Sequence, residues 1–128
     1  MMPRTLGRIC TMGYYSDFDI DITIEGISKG EVEDIVERTF GERIAEKLTL
    51  GEAGNGAFIV GNLYSIKWYS FTEDMEELQK AIAKSGGKFV CTCIERQGED
   101  SGDGERFVNR NGKLARQVTL LTWVDSED

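Results

Sequence analysis

Between Asp17 and Glu25 the chain alternates with period two. Phe18, Ile20, Ile22 and Ile24 fall on one side, and Asp17, Asp19, Asp21, Thr23 and Glu25 on the other. Successive side chains of a strand point to opposite faces, so this segment reads as a β-strand with one buried and one solvated face. A strand of this kind cannot stand alone. Its apolar side needs a second layer, and the sequence supplies one at once. Gly26 ends the strand, Ser28 with Glu31 three residues later forms a capping box, and Val32, Ile35, Val36 and Phe40 then share one side of a helix. Glu33, Asp34 and Glu37 face water on the other side, and Gly41 is a natural stop, with Ile44 in a further turn.

Downstream, Leu48 and Leu50 open a short strand ahead of a flexible segment, Gly51 to Gly56. Ala57–Val60 and Leu63–Tyr69 read as two strands joined by a tight turn at Gly61-Asn62. A second helix starts at Ser70 or Thr72, where Ser70 with Glu73 offers another capping box. It carries Met75, Leu78 and Ile82 as its apolar stripe and ends at Gly86-Gly87. Lys88–Arg96 reads as a central strand with both faces largely apolar. After the acidic, glycine-rich loop Gly98–Gly104, Asn111-Gly112 marks a hairpin, and Val118–Val124 extends its last strand. The expected fold is therefore α+β: a ferredoxin-like β-α-β-β-α-β sheet with two helices on one face, plus a C-terminal β-hairpin. Residues 1–12 form a flexible arm, 13–124 one domain, and 125–128 a frayed acidic tail.

Chemistry is constrained by what is missing. The 128 residues contain no histidine, which removes the usual general base and the commonest metal ligand. Cys10, Cys91 and Cys93 are an odd number in a mid-sized domain, unlike a disulfide framework, and Cys91 and Cys93 are expected as small buried side chains. Gly51, Gly54 and Gly56 lack the lysine and following helix of a phosphate loop, and residues 99–105 lack the acid spacing of an EF-hand. Lys67, Trp68 and Tyr69 resemble a stacking surface, but aromatic residues entering a helix belong more often to the core. No catalytic residue, metal site or cofactor is expected. No apolar run approaches the ~20 residues of a membrane span, and no apolar stretch follows Met1-Met2-Pro3-Arg4, so a cytoplasmic protein without a leader is expected.

Charge is distributed unevenly. The net charge is −8, yet residues 106–117 carry Arg106, Arg110, Lys113 and Arg116 with no acid (+4); with +2 on residues 1–12 and −3 on residues 118–128, residues 13–105 carry −11. Such a body repels nucleic acid and attracts basic partners. On the first strand Asp17, Asp19, Asp21 and Glu25 would stand roughly 6.5–7 Å apart, a spacing similar to that of phosphates along a nucleic-acid strand. These four are the candidate partner-binding residues, with Glu33, Asp34 and Glu37 as secondary ones. The bland reading is a solubilising face that deters edge pairing, and a third is a divalent-metal site. The basic hairpin allows RNA contact, although RNP aromatic motifs are absent. It equally allows pairing with the acidic body, within the chain or in a homodimer.

Lys67-Trp68-Tyr69, Asp74-Met75, Gly98-Glu99, Gly102-Asp103, Arg106 and Asn111-Gly112-Lys113 together resemble a loose group of small phage and prophage proteins. The likeness covers residues 64–114 and carries over no catalytic residue. It implies a context in which small acidic proteins inhibit host machinery, including restriction and CRISPR nucleases, in the host cytoplasm. The expected function is a non-enzymatic phage or mobile-element inhibitor (anti-CRISPR or anti-restriction in type) of a basic, nucleic-acid-handling host protein. The alternatives are an immunity protein or antitoxin against a basic nuclease, and a small metal- or nucleotide-dependent enzyme.

Overall fold

The computed structural model describes residues 15–98 and 104–118. Six strands and three helices follow in the order β1 (Ser16–Glu25), α1 (Lys29–Phe40), α2 (Glu42–Ala45), β2 (Thr49–Ala53), β3 (Gly56–Ile66), α3 (Phe71–Lys84), β4 (Lys88–Gly98), β5 (Gly104–Arg110) and β6 (Lys113–Val118). They form an α+β fold. The strands make one sheet in the order β2-β3-β1-β4-β5-β6, and every neighbouring pair is antiparallel.

β1 keeps the predicted alternation, with Phe18, Ile20, Ile22 and Ile24 buried and Asp17, Asp19 and Asp21 exposed. It lies between β3 and β4, so both its backbone edges are hydrogen-bonded. α1 starts where Ser28 Oγ accepts the Glu31 amide at 3.2 Å, and the Gly41 amide closes it on the Glu37 carbonyl. Its Val32, Ile35, Val36 and Phe40 join Phe71, Met75, Leu78 and Ile82 of α3 in one core with the inward side of β1. A third helix, the single turn α2, adds to the two expected and inserts Ile44 into that core. The opposite side of the sheet carries no helix among the described residues.

Three local expectations need correction. The hairpin between β2 and β3 turns at Gly54-Asn55, with Gly54 at φ 56°, and not at Gly61-Asn62. Gly61 and Asn62 sit inside β3, opposite Ile20 and Asp19 of β1. Gly61 is small for a packing reason: a Cβ there would come within 2.7 Å of the Leu48 side chain. At the start of α3 the Ser70 side chain makes no capping bond, and its hydroxyl donates instead to Asp74 Oδ2 at 3.0 Å. Asn111 and Gly112 form the last turn as predicted, both at positive φ (55° and 84°), which fits a type I′ hairpin.

The third correction concerns β4. Its apolar run does not mean two buried faces. Phe89 and Ile94 are five residues apart yet both buried, which strict alternation forbids. The register against β1 shifts between Asp21↔Cys93 and Thr23↔Val90, so β4 carries an extra residue, with Cys91 at φ 42°. Cys91 is consequently exposed and Cys93 only half-buried, against the expectation that both are core residues. Thr92 ties the bulge down. Its hydroxyl donates to the Val90 carbonyl (2.8 Å) and accepts the Thr23 amide, while its own amide donates to Asn109 Oδ1 at 2.9 Å. A left-handed backbone costs a side-chain-bearing residue roughly 1–2 kcal/mol. Cys91→Gly should therefore raise stability by about 0.5–1 kcal/mol, read as a higher urea midpoint at unchanged slope.

The expected arm (residues 1–12), Cys10, most of the acidic loop (99–103), residues 119–124 of the last strand and the tail 125–128 lie outside the described residues.

Candidate functional site

The sheet face turned away from the helices is where the strand carboxylates stand. Asp19 lies opposite Asn62 of β3 and Glu95 of β4, and Asp21 lies opposite Val60 and Cys93. Like charges directly across a strand pair are unfavourable, so the Asp19–Glu95 pairing adds nothing to the sheet it sits in. Glu95 finds partial relief from Arg106 of β5 at 3.7 Å. Asp19 and Asp21 have no cationic partner among the described residues.

The two ends of the ladder are engaged. Asp17 Oδ1 accepts the Ser65 amide at 2.9 Å, where β3 shifts register and Ser65 takes φ 54°. Asp17 thus holds a strained irregularity within β3 as well as lending charge. Glu25 faces Lys88 at 3.9 Å across exposed surface, a contact of little energetic weight. Beside Asp17 and Asp19 the ring of Tyr64 is 69% exposed, and it borders a shallow depression of about 200 Å³ shared with Asn62, Glu95 and Gln97.

Across the same face the sign of the charge changes. Arg106 and Arg110 of β5 and Lys113 of β6 follow the carboxylates of β1 and β4. Among the described residues, two of the four hairpin cations are spoken for: Arg106 by Glu95, and Arg116 by Glu105 at 2.6 Å. The intramolecular pairing weighed from the sequence therefore exists for these two. The half-buried Cys93 thiol registers the field of the acidic half. Burial pushes its pKa up, Glu95, Asp19 and Asp21 push the same way, and Arg106 opposes them. The thiolate is disfavoured, and with it nucleophilic reactivity.

The secondary candidates lie elsewhere. Glu33, Asp34 and Glu37 are exposed on α1, which packs on the other side of the sheet, so they do not join the strand ladder in one surface. With Glu42 and Glu46 they rim a separate groove beside β2. Of Lys67, Trp68 and Tyr69, Trp68 is core and Tyr69 is 66% exposed, while Lys67 lies over the Tyr15 ring at 5.0 Å.

One polar centre was not anticipated. The Glu105 side chain, 5% exposed, accepts from Arg96 Nε (3.1 Å) and Thr72 Oγ1 (2.9 Å) at one oxygen and from Arg116 Nε (2.6 Å) at the other. Arg96, itself 17% exposed, also reaches Ser16 Oγ at 3.4 Å. Burial alone would raise the Glu105 pKa, but the hydrogen bonds from Arg116, Thr72 and Arg96 and the Arg116 charge outweigh it and hold the carboxyl below its ordinary value. This is an acceptor whose ionised form is favoured, suited to clamping β4, β5, β6 and α3 together. The available signal was parity, since Glu105 shares the inward side of β5 with Phe107.

Among the described residues no three Cys, Asp or Glu side chains converge to hold a metal ion, and no helix is long and apolar enough to cross a membrane. No protein family, curated protein or solved structure matches the chain.

Proposed function

We propose that the chain is a non-enzymatic binding module whose open sheet face engages a basic, nucleic-acid-handling protein. We also read its first four strands and two long helices as a ferredoxin-like unit. The order β2-β3-β1-β4 with antiparallel neighbours supports that reading, and β5-β6 then extend the sheet past β4. The observation that carries the functional reading is the exposure of Asp19 and Asp21, with no cationic partner and no covering helix among the described residues, and with Glu95 alongside. A row of carboxylates at strand spacing offers a basic groove much of what a phosphate backbone offers. An inhibitor of host defence, of the phage or mobile-element kind, would use such a surface to occupy a nuclease in place of its substrate.

The test is a paired capture from bacterial lysate with wild-type protein and Asp19→Lys/Asp21→Lys as baits. Both positions point to solvent, so the variant should keep the wild-type melting temperature within a few degrees. The wild type should retain a basic nucleic-acid-handling protein that the variant loses, and high salt should release it. Equal capture by both baits would remove the strand ladder from the account.

A further inference from the structure

We propose a second docking surface, on the helix side of the molecule, where an extended basic segment of a partner adds as a strand along β2. β2 is the terminal strand of the described sheet. Its inner edge pairs with β3 from Thr49↔Val60 to Ala53↔Gly56, and its outer edge has no strand partner among the described residues. Such edges are commonly blunted by lysine, proline or a bulge. β2, Thr-Leu-Gly-Glu-Ala, has none of these; it is five residues long and its one charge is the acidic Glu52.

A groove of about 430 Å³ lies against α1, α2 and Leu50 of β2. Glu33, Asp34, Glu37, Glu42 and Glu46 form its rim, and among the described residues no lysine or arginine lines it. Glu33 is paired with Lys29 at 3.3 Å, whereas the other four have no cationic partner among the described residues. The floor is apolar, with Val36, Leu48 and a half-buried Leu50. Strand addition suits this combination because the guest backbone would bond to the outer edge of β2 and every second side chain projects to one side. On the groove side those side chains would be cationic at the rim and apolar over Leu50. The surface is independent of the Asp19–Asp21 ladder, which lies on the opposite face of the sheet, so either can fail without the other.

The probe is an end-blocked octapeptide of alternating arginine and valine, added to the full chain at roughly 50 mM salt, where surface charges are weakly screened. Its binding should shift the amide resonances of Thr49–Ala53. Affinity should fall at least about tenfold (~1.4 kcal/mol) in Glu37→Lys/Glu42→Lys, and by as much when alternate peptide nitrogens are methylated. Asp19→Lys/Asp21→Lys should leave it within about threefold. The proposal is overturned if the methylated peptide binds equally well, or if the shifts cluster on β1. It is overturned too if nothing binds, or if the outer amides of β2 are already protected from exchange in the free chain.

Discussion

Replacing Trp68 by alanine is expected to remove about 4 kcal/mol of stability, a large share of the ~5–15 kcal/mol typical of a domain. The indole is the hub of the aromatic core. Its ring lies 5.1 Å from those of Phe18, Phe40 and Phe71, tilted or edge-on to each, and so joins β1, α1 and α3. Phe71 carries the contact on to Phe107 of β5 at 5.8 Å. Truncation leaves a void that three rings on different elements cannot jointly close. It also strips Asp74 of the indole N–H that donates to Oδ2 at 2.7 Å, leaving the Ser70 hydroxyl. Trp68→Phe separates the two effects, since it keeps most of the ring area and loses the donor. It should cost about 1–2 kcal/mol. Urea unfolding of both variants measures the difference. Equal losses would mean that the hydrogen bond, and not the packing, dominates.

Glu105→Gln should cost about 3 kcal/mol and change how stability responds to acid. The substitution preserves shape but leaves Arg96, 17% exposed, facing a neutral amide, and removing one partner of a buried pair is expensive. The half-exposed Arg116 contributes less, because solvent screens it. The sign of the pH effect follows from the lowered pKa. Unfolding returns Glu105 to its ordinary value near 4.5, so the unfolded chain binds a proton more readily. The contribution is fully present above that value and is lost as pH falls through the lower folded one. Wild type should therefore lose stability steeply below pH 4.5, and Glu105→Gln should show a shallower decline over the same range. Parallel acid profiles for the two proteins would place the acid-sensitive group elsewhere.

What could be read in advance was local, and what could not was tertiary. Phe18 to Glu25 declared its strand because alternation is itself the physical requirement of a half-buried strand. Asn111-Gly112 declared its turn because few other dipeptides tolerate positive φ at both positions. The same logic misled at Gly61-Asn62, since Gly54-Asn55 is an equivalent signal seven residues earlier. Long pairing of β3 with β1 decided between them, and Leu48 explains the glycine left mid-strand. In β4 the inserted residue at Cys91 turned a one-sided strand into an apparently two-sided one, which no periodicity count detects. The strand carboxylates were found by parity. That the α1 carboxylates belong to another surface required knowing which side of the sheet α1 covers. Glu105 was hidden because its three donors come from α3, β4 and β6, far apart in sequence.

The most direct test of the acidic-face account is the affinity of the captured basic partner for wild type and for Asp19→Lys/Asp21→Lys, measured across a range of salt. The account predicts that the double reversal weakens binding by about 100-fold (~2.7 kcal/mol) and flattens the dependence on salt, because attractive charges become repulsive ones. An affinity unchanged by the reversal, with the fold intact, would contradict it.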